Sequence, residues 1–327
     1  MLQESFALLM GLVVLIAGGE LLVRGASAIA YRMSISRLVV GLTIVAFGTS
    51  SPELFISVQS ALKGSADMAM GNVIGSNICN LGLVLGLTAV LSRIPVDENS
   101  LKIDWPMAMG SSLLLFVLVQ FGELNWIEGV IFVLILVTYI VYVIRKSRKE
   151  NKARAKIEAN LNIEEEDESE EEDTALWKQW ALDLTWLVLG CTGLYFGSEW
   201  FVGSAETIFL ELGVSKRIIG LMVLALGTSL PELVTSIVAA SRGNTDLALG
   251  NLIGSNIFNV LSILGITSIV KSITVSDTIR EVDMVWMLGI TFLILPLMWY
   301  KRKMFRLQGV ILLAFYGYYV YTVIFVS

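Results

Sequence analysis

Twice in this chain a carboxylate follows a proline inside an apolar run: Pro52 and Glu53 within GTSSPELFIS, and Pro231 and Glu232 within GTSLPELVTS. A charged side chain at the centre of a bilayer costs on the order of 3 kcal/mol on insertion scales, so it ordinarily marks an ion site or a proton relay. Hydroxyls accompany both acids. Thr49 and Ser50 stand four and three residues before Glu53, and Thr228 and Ser229 repeat this before Glu232, so on a helix each pair projects to the side of its carboxylate. Further along, Asn72, Ser76 and Asn80 recur every fourth residue, as do Asn251, Ser255 and Asn259, and each set lines one helical face.

Two carboxylates, several hydroxyls and amide oxygens form a hard-cation inventory. Calcium accepts many oxygens in irregular geometry, sodium can use hydroxyls and carbonyls, and magnesium demands stricter octahedral order. Two glutamates balance one divalent ion. Once it leaves, two carboxylates remain together in a low-dielectric site, and that state is strained unless sodium ions or protons replace it. Obligatory counter-transport is the expectation. Blander readings exist for each part. A proline can simply kink a membrane helix, and Asn or Ser can hydrogen-bond neighbouring helices while Gly71, Gly75, Gly250 and Gly254 permit close contact. Asn72, Asn77, Asn251 and Asn256 are read in that structural way, and Ser76, Asn80, Ser255 and Asn259 as ligands.

The elements that must carry these residues are spanning helices written twice. Residues 41–80 and 220–259 align without a gap at an offset of 179, with 22 of 40 positions identical. Upstream, Glu20 pairs with Glu199 and Val23 with Val202 at the same offset. Proline removes a backbone donor, so carbonyls around Ala46 to Thr49 and Ala225 to Thr228 are expected to be freed; at membrane depth such groups are tolerated only against protein or a polar cavity. Apolar runs predict ten spans at approximately 5–24, 37–60, 68–92, 105–121, 125–145, 177–203, 216–241, 247–270, 283–300 and 308–326. Five spans precede the second copy, and five is odd. The fold expected is therefore an all-α polytopic membrane protein of two inverted-topology five-helix repeats, residues 1–145 and 176–327, joined by a charged cytoplasmic linker over 146–175. Secondary transporters use that arrangement to bring interrupted helices together near the midplane, although a channel or membrane enzyme could also contain a duplication.

Composition agrees with a membrane protein: of 327 residues, 55% are hydrophobic, and the mean hydropathy is +0.75. The net charge of -6 comes from one loop, where nine of the ten residues from Glu164 to Asp173 are acidic. Just before it stand Arg145, Lys146, Arg148, Lys149, Lys152, Arg154 and Lys156, which the positive-inside rule places in the cytoplasm, with the N-terminus outside. That orientation puts 18 Lys and Arg inside and 5 outside. Lacking any histidine, and with Cys79 and Cys191 both in apolar spans, the chain gives no sign of a zinc site or a disulfide framework. No cofactor, nucleic-acid partner or obligate protein partner is indicated. Glu20 and Glu199 read either as lining an ion pathway or, the favoured reading, as helix-end acids facing headgroups and backbone; Trp residues near 176–200 and 286–299 read as interface anchors, and the acidic run as a solvated linker without an EF-hand pattern.

GTSSPELFIS with GNVIGSNICN, and GTSLPELVTS with GNLIGSNIFN, resemble the paired alpha repeats of sodium/calcium exchangers in the calcium/cation antiporter superfamily. The resemblance implies an exchanger of the cell membrane that uses the sodium gradient to expel calcium by alternating access. It implies calcium ligands at Glu53, Glu232, Thr49 and Thr228. Sodium ligands would fall on Ala46, Thr49, Ser50, Glu53, Ser76, Ala225, Thr228, Ser229, Glu232 and Ser255, some through the backbone, with Asn80 and Asn259 at the central polar positions. The potassium-dependent branch has Asp where Asn259 stands, so potassium independence is expected. The alternatives are a proton-coupled cation antiporter, whose relatives usually add a carboxylate in the GN-containing helix, and a cation channel lined by the two glutamates.

Overall fold

The computed structural model describes residues 2–161, 173–212 and 227–325. Ala225, the stretch 216–226 of the seventh expected span, and 164–172 of the acidic run lie outside the described residues. In chain order the helices are α1 (Leu2–Arg32), α2 (Arg37–Thr49), α3 (Ser51–Leu62), α4 (Ala66–Leu91), α5 (Ser100–Val119), α6 (Trp126–Leu161), α7 (Asp173–Glu211), α8 (Leu230–Ser241), α9 (Thr245–Val270), α10 (Ile279–Arg302) and α11 (Arg306–Phe325). Among the described residues six helices are long and apolar enough to cross a membrane, or seven if the bent pair α2 and α3 forms one span. The chain is a helical membrane protein. Helices α7, α8 and α11, where further spans are expected at 177–203, 216–241 and 308–326, are not among those six.

The halves match in detail. Helix α4 carries a π-helical turn at Asn80–Val84 and α9 one at Asn259–Leu264, while α5 and α10 begin with such turns at Ser100–Asp104 and Ile279–Asp283. Four two-residue strands accompany the helices: β1 (Ile94–Pro95), β2 (Glu123–Leu124), β3 (Ile273–Thr274) and β4 (Lys303–Met304). Each pairing crosses between halves, antiparallel, with Ile94 opposite Met304 and Leu124 opposite Ile273, all four buried. Near the first pairing Glu98 is held below the ordinary carboxylate range, chiefly by Lys102 and then by Arg302.

Burial shows which helices form the centre. The apolar windows of α4 and α9 are 78% and 83% buried, against 33% for α1. Helix α1 instead lies antiparallel along α7 through a line of glycines, where backbones meet without side chains between them. A β-carbon at Gly18 would sit 2.7 Å from the Leu194 nitrogen, and one at Gly190 would sit 2.5 Å from the Leu22 nitrogen. Arg32 pairs with Asp183 across the same interface. Elsewhere α2 lies on α9 at Gly250, whose β-carbon would be 2.3 Å from the Leu38 carbonyl oxygen.

Candidate cation site

Both glutamates sit one turn into a helix that begins at a break. Ser50 has φ -88° and ψ 6°, Pro52 follows in the first turn of α3, and the chain bends by 45° there. Ser229 repeats these angles at φ -87° and ψ 4°, ahead of Pro231 in α8. Proline cannot donate to the carbonyl four residues back, which frees the oxygens of Gly48 and Gly227. That of Gly227 accepts the Ser198 hydroxyl at 2.7 Å. Ala46, by contrast, keeps its carbonyl engaged, with the Ser50 N–H at 3.0 Å and the Thr49 hydroxyl at 3.4 Å. In the first copy the break therefore leaves the Gly48 carbonyl without its helical donor while the Ala46 carbonyl stays engaged.

Around the breaks the two halves interlock. Thr49 and Ser255 hydroxyls lie 3.5 Å apart, and the equivalent pair, Thr228 and Ser76, lies 3.4 Å apart. Ser50 donates to Glu232 Oε1 at 3.0 Å, and Ser255 donates to the same oxygen at 3.4 Å. Glu53 and Glu232 are wholly buried. Thus Glu53, Glu232, Thr49, Thr228, Ser50, Ser76, Ser229, Ser255, Asn80 and Asn259 all lie buried along the paired breaks of α2 and α3 and of α8 and the adjoining faces of α4 and α9.

Six buried oxygens of this set have no hydrogen-bond partner: both of Glu53, Oε2 of Glu232, Oγ of Ser229, and Oδ1 of Asn80 and of Asn259. An ionised carboxylate can only accept, so two buried ones cannot satisfy each other. Burying such groups unmatched is costly, and a cation surrounded by oxygens removes the mismatch. Among the described residues no three His, Cys, Asp or Glu side chains are grouped so that they could hold a metal ion. Two carboxylates therefore supply the formal charge, and neutral oxygens must complete any coordination shell.

The asparagines divide by contact. Asn72 Nδ2 reaches Ser57 Oγ at 3.0 Å and Asn251 Nδ2 reaches Ser236 Oγ at 3.3 Å, tying each glutamate-bearing helix to the next. Asn251 also accepts the Thr49 hydroxyl at 3.2 Å. Across the halves, Asn259 donates to Asn77 Oδ1 at 3.0 Å and Asn77 to the Asn256 carbonyl at 3.4 Å. Ser57 and Ser236 were not singled out in the sequence, although both lie four residues after a glutamate and share the repeat offset. Thr235, buried with a bare hydroxyl three residues after Glu232, has Ile56 as its repeat counterpart, so symmetry could not flag it. Of the two acids Glu20 and Glu199, Glu20 pairs with Arg242, and exposed Glu199 accepts the Tyr195 hydroxyl beside a cleft.

A family model described as sodium/calcium exchanger protein matches residues 5–145 and 182–325. The chain belongs to the sodium/calcium exchanger family. Among its relatives, a putative antiporter CaxA of Alkalimonas amylolytica is 36% identical over 97% of this chain and 98% of its own. Sodium/calcium exchanger MaX1 of Methanosarcina acetivorans is 35% identical over 94% and 95%. In structure, the sodium-calcium exchanger NCX_Mj superposes with a TM-score of 0.81 at 29% identity, covering 100% of this chain and 99% of that one. Both blocks of the family match include a glutamate-bearing break, and the stretch they leave out, 146–181, contains the charged linker.

Proposed function

We propose that the protein is a sodium/calcium antiporter that exports Ca²⁺ against Na⁺ influx by alternating access, without a potassium requirement. The observation that carries this reading is the set of six buried, partnerless oxygens around Glu53 and Glu232, where the two halves cross. Calcium would be held by the two carboxylates with Thr49 and Thr228. Sodium would use Ala46, Thr49, Ser50, Ser76, Ala225, Thr228, Ser229 and Ser255 with the same glutamates, and Asn80 and Asn259 would complete the centre.

Charge balance supplies the coupling. Either one Ca²⁺ or two or more Na⁺ offset the two carboxylates, whereas an empty site leaves like charges buried together and reorients poorly. Asn259 adds an oxygen without adding charge, which argues against a third cation such as K⁺. The reading also takes the chain as ten spans in two inverted halves, 1–145 and 176–327, in the cell membrane with the N-terminus outside and the 146–175 linker in the cytoplasm. The strand pairings support it, since each joins connections that alternate crossing would put on one side.

The test is calcium uptake into proteoliposomes under imposed sodium, potassium and proton gradients. An outward sodium gradient should drive uptake in potassium-free buffer. Calcium passing at full rate with no counter-cation on the far side would overturn antiport.

A further inference from the structure

The two halves are alike in sequence but not in how α1 and α7 dock on them. Helix α1 packs closely on α8: a β-carbon at Gly19 would lie 3.0 Å from Val234 Cγ1 and 3.5 Å from Val238 Cγ2. The next residue, Glu20, takes Arg242 in a two-point ion pair, with Nη2 to Oε1 at 2.7 Å and Nε to Oε2 at 3.1 Å. At the offset of 179, the counterparts of Gly19, Glu20, Val234, Val238 and Arg242 are Ser198, Glu199, Phe55, Gln59 and Lys63. There the docking is open. Phe55, Gln59, Ser198 and Glu199 line a cleft of about 890 Å³ that reaches Thr228 at the cation site. Among the described residues Glu199 accepts the Tyr195 hydroxyl at 3.2 Å, and neither it nor the exposed Lys63 makes an ion pair.

In an inverted repeat, alternating access rocks one bundle against the other around a fixed site, and the pseudo-symmetry supplies a second state in which the halves exchange conformations. We propose that Lys63 and Glu199 are positioning residues that form an ion pair when this cleft closes, while the Glu20 to Arg242 pair opens, so that the two act as alternating latches on opposite faces of the protein. Closing the cleft in the manner of the closed side brings Ser198 onto Phe55 and Gln59 as Gly19 lies on Val234 and Val238, and places Glu199 at Lys63 as Glu20 lies at Arg242. Glu206 also lines the cleft, but its counterpart is Ser27, so the symmetry selects Glu199. Because the latch deepens the alternating-access reading, it stands on that reading.

The experiment uses full-length protein in proteoliposomes carrying Lys63→Cys with Glu199→Cys, or Glu20→Cys with Arg242→Cys, and the single substitutions as controls for Cys79 and Cys191. A short bifunctional maleimide is applied in sodium, in calcium and in choline. The two cross-linking yields are expected to move in opposite directions between conditions, and either cross-link to stop exchange. Lys63→Glu alone should slow exchange, and Lys63→Glu with Glu199→Lys should recover it, which a merely structural role would not produce. Yields that rise and fall together, capture of Glu206→Cys in place of Glu199→Cys, or no cross-link at 63 and 199 in any condition would overturn the latch. Sodium-driven calcium uptake by the unmodified protein is measured in parallel, so a failure of calcium exchange is read separately from a failure of the latch.

Discussion

Glu53 and Glu232 occupy equivalent positions but are not equivalently served. Glu232 Oε1 receives hydroxyls from Ser50 and Ser255, while Glu53 receives none and its counterpart donor, Ser229, is bare. Removing either negative charge undoes the balance with a divalent ion. Glu53→Gln and Glu232→Gln should each lower calcium transport by about a hundredfold, roughly 3 kcal/mol, in uptake assays. Ser50→Ala should weaken cation binding through the lost bond to Glu232, and Ser50→Thr should restore part of it. Beside the proposed ligands, Asn251→Ala removes a donor to Ser236 and an acceptor for Thr49. It should cost about 1–3 kcal/mol of stability, read as a lower Tm in detergent. These residues were legible in the sequence because each appears twice, and a polar residue conserved between two membrane copies has few purely local explanations. Thr235 was not legible, since the pattern that exposed the others is broken at Ile56.

At the scale of elements, the break between α2 and α3 sets where the hydroxyls and the acid face. Pro52→Ala would supply the N–H that the Gly48 carbonyl lacks and relax the 45° bend. The expected outcome is a folded protein of unchanged or raised Tm whose exchange rate falls, a split that purification and uptake together would reveal. The positions of the breaks could be read from Gly, Pro and Ser, but not the occupancy of the freed carbonyls. That depends on a neighbour: Ser198 reaches the Gly227 oxygen, and its counterpart, Gly19, has no side chain to reach Gly48. The short strands were likewise unreadable, because two-residue segments such as Ile94–Pro95 carry no periodicity of their own.

Over the whole molecule, the helical membrane fold and the matched features of the two halves could be read from the apolar runs and the duplication, whereas the asymmetry between the halves could not. Two segments identical at 22 of 40 positions do not reveal which half is packed more tightly; in this structure α1 lies closely on α8, while α7 leaves a cleft beside α3. Potassium independence belongs to this scale too, since it depends on the total charge the site presents. Sodium-driven calcium uptake should persist in potassium-free buffer, and Asn259→Asp should add a dependence on pH or potassium. Deleting Glu164 to Asp173 should leave uptake largely intact, because the linker lies between the family-matched blocks.

The strand pairings bear on the history and assembly of the molecule. Ile94 meets Met304 in one pairing, Leu124 meets Ile273 in the other, and Asn259 meets Asn77 deep within. Each of these three joins is between halves, as in a dimer whose two subunits have been fused. On that basis the covalent connection is expected to be dispensable for recognition between them. Residues 1–160 and 174–327, produced as two polypeptides in one cell, should co-purify as a stoichiometric pair and exchange ions together. Failure of the fragments to associate, with each inserted in the membrane, would mean that the linker organises the protein rather than merely connecting it.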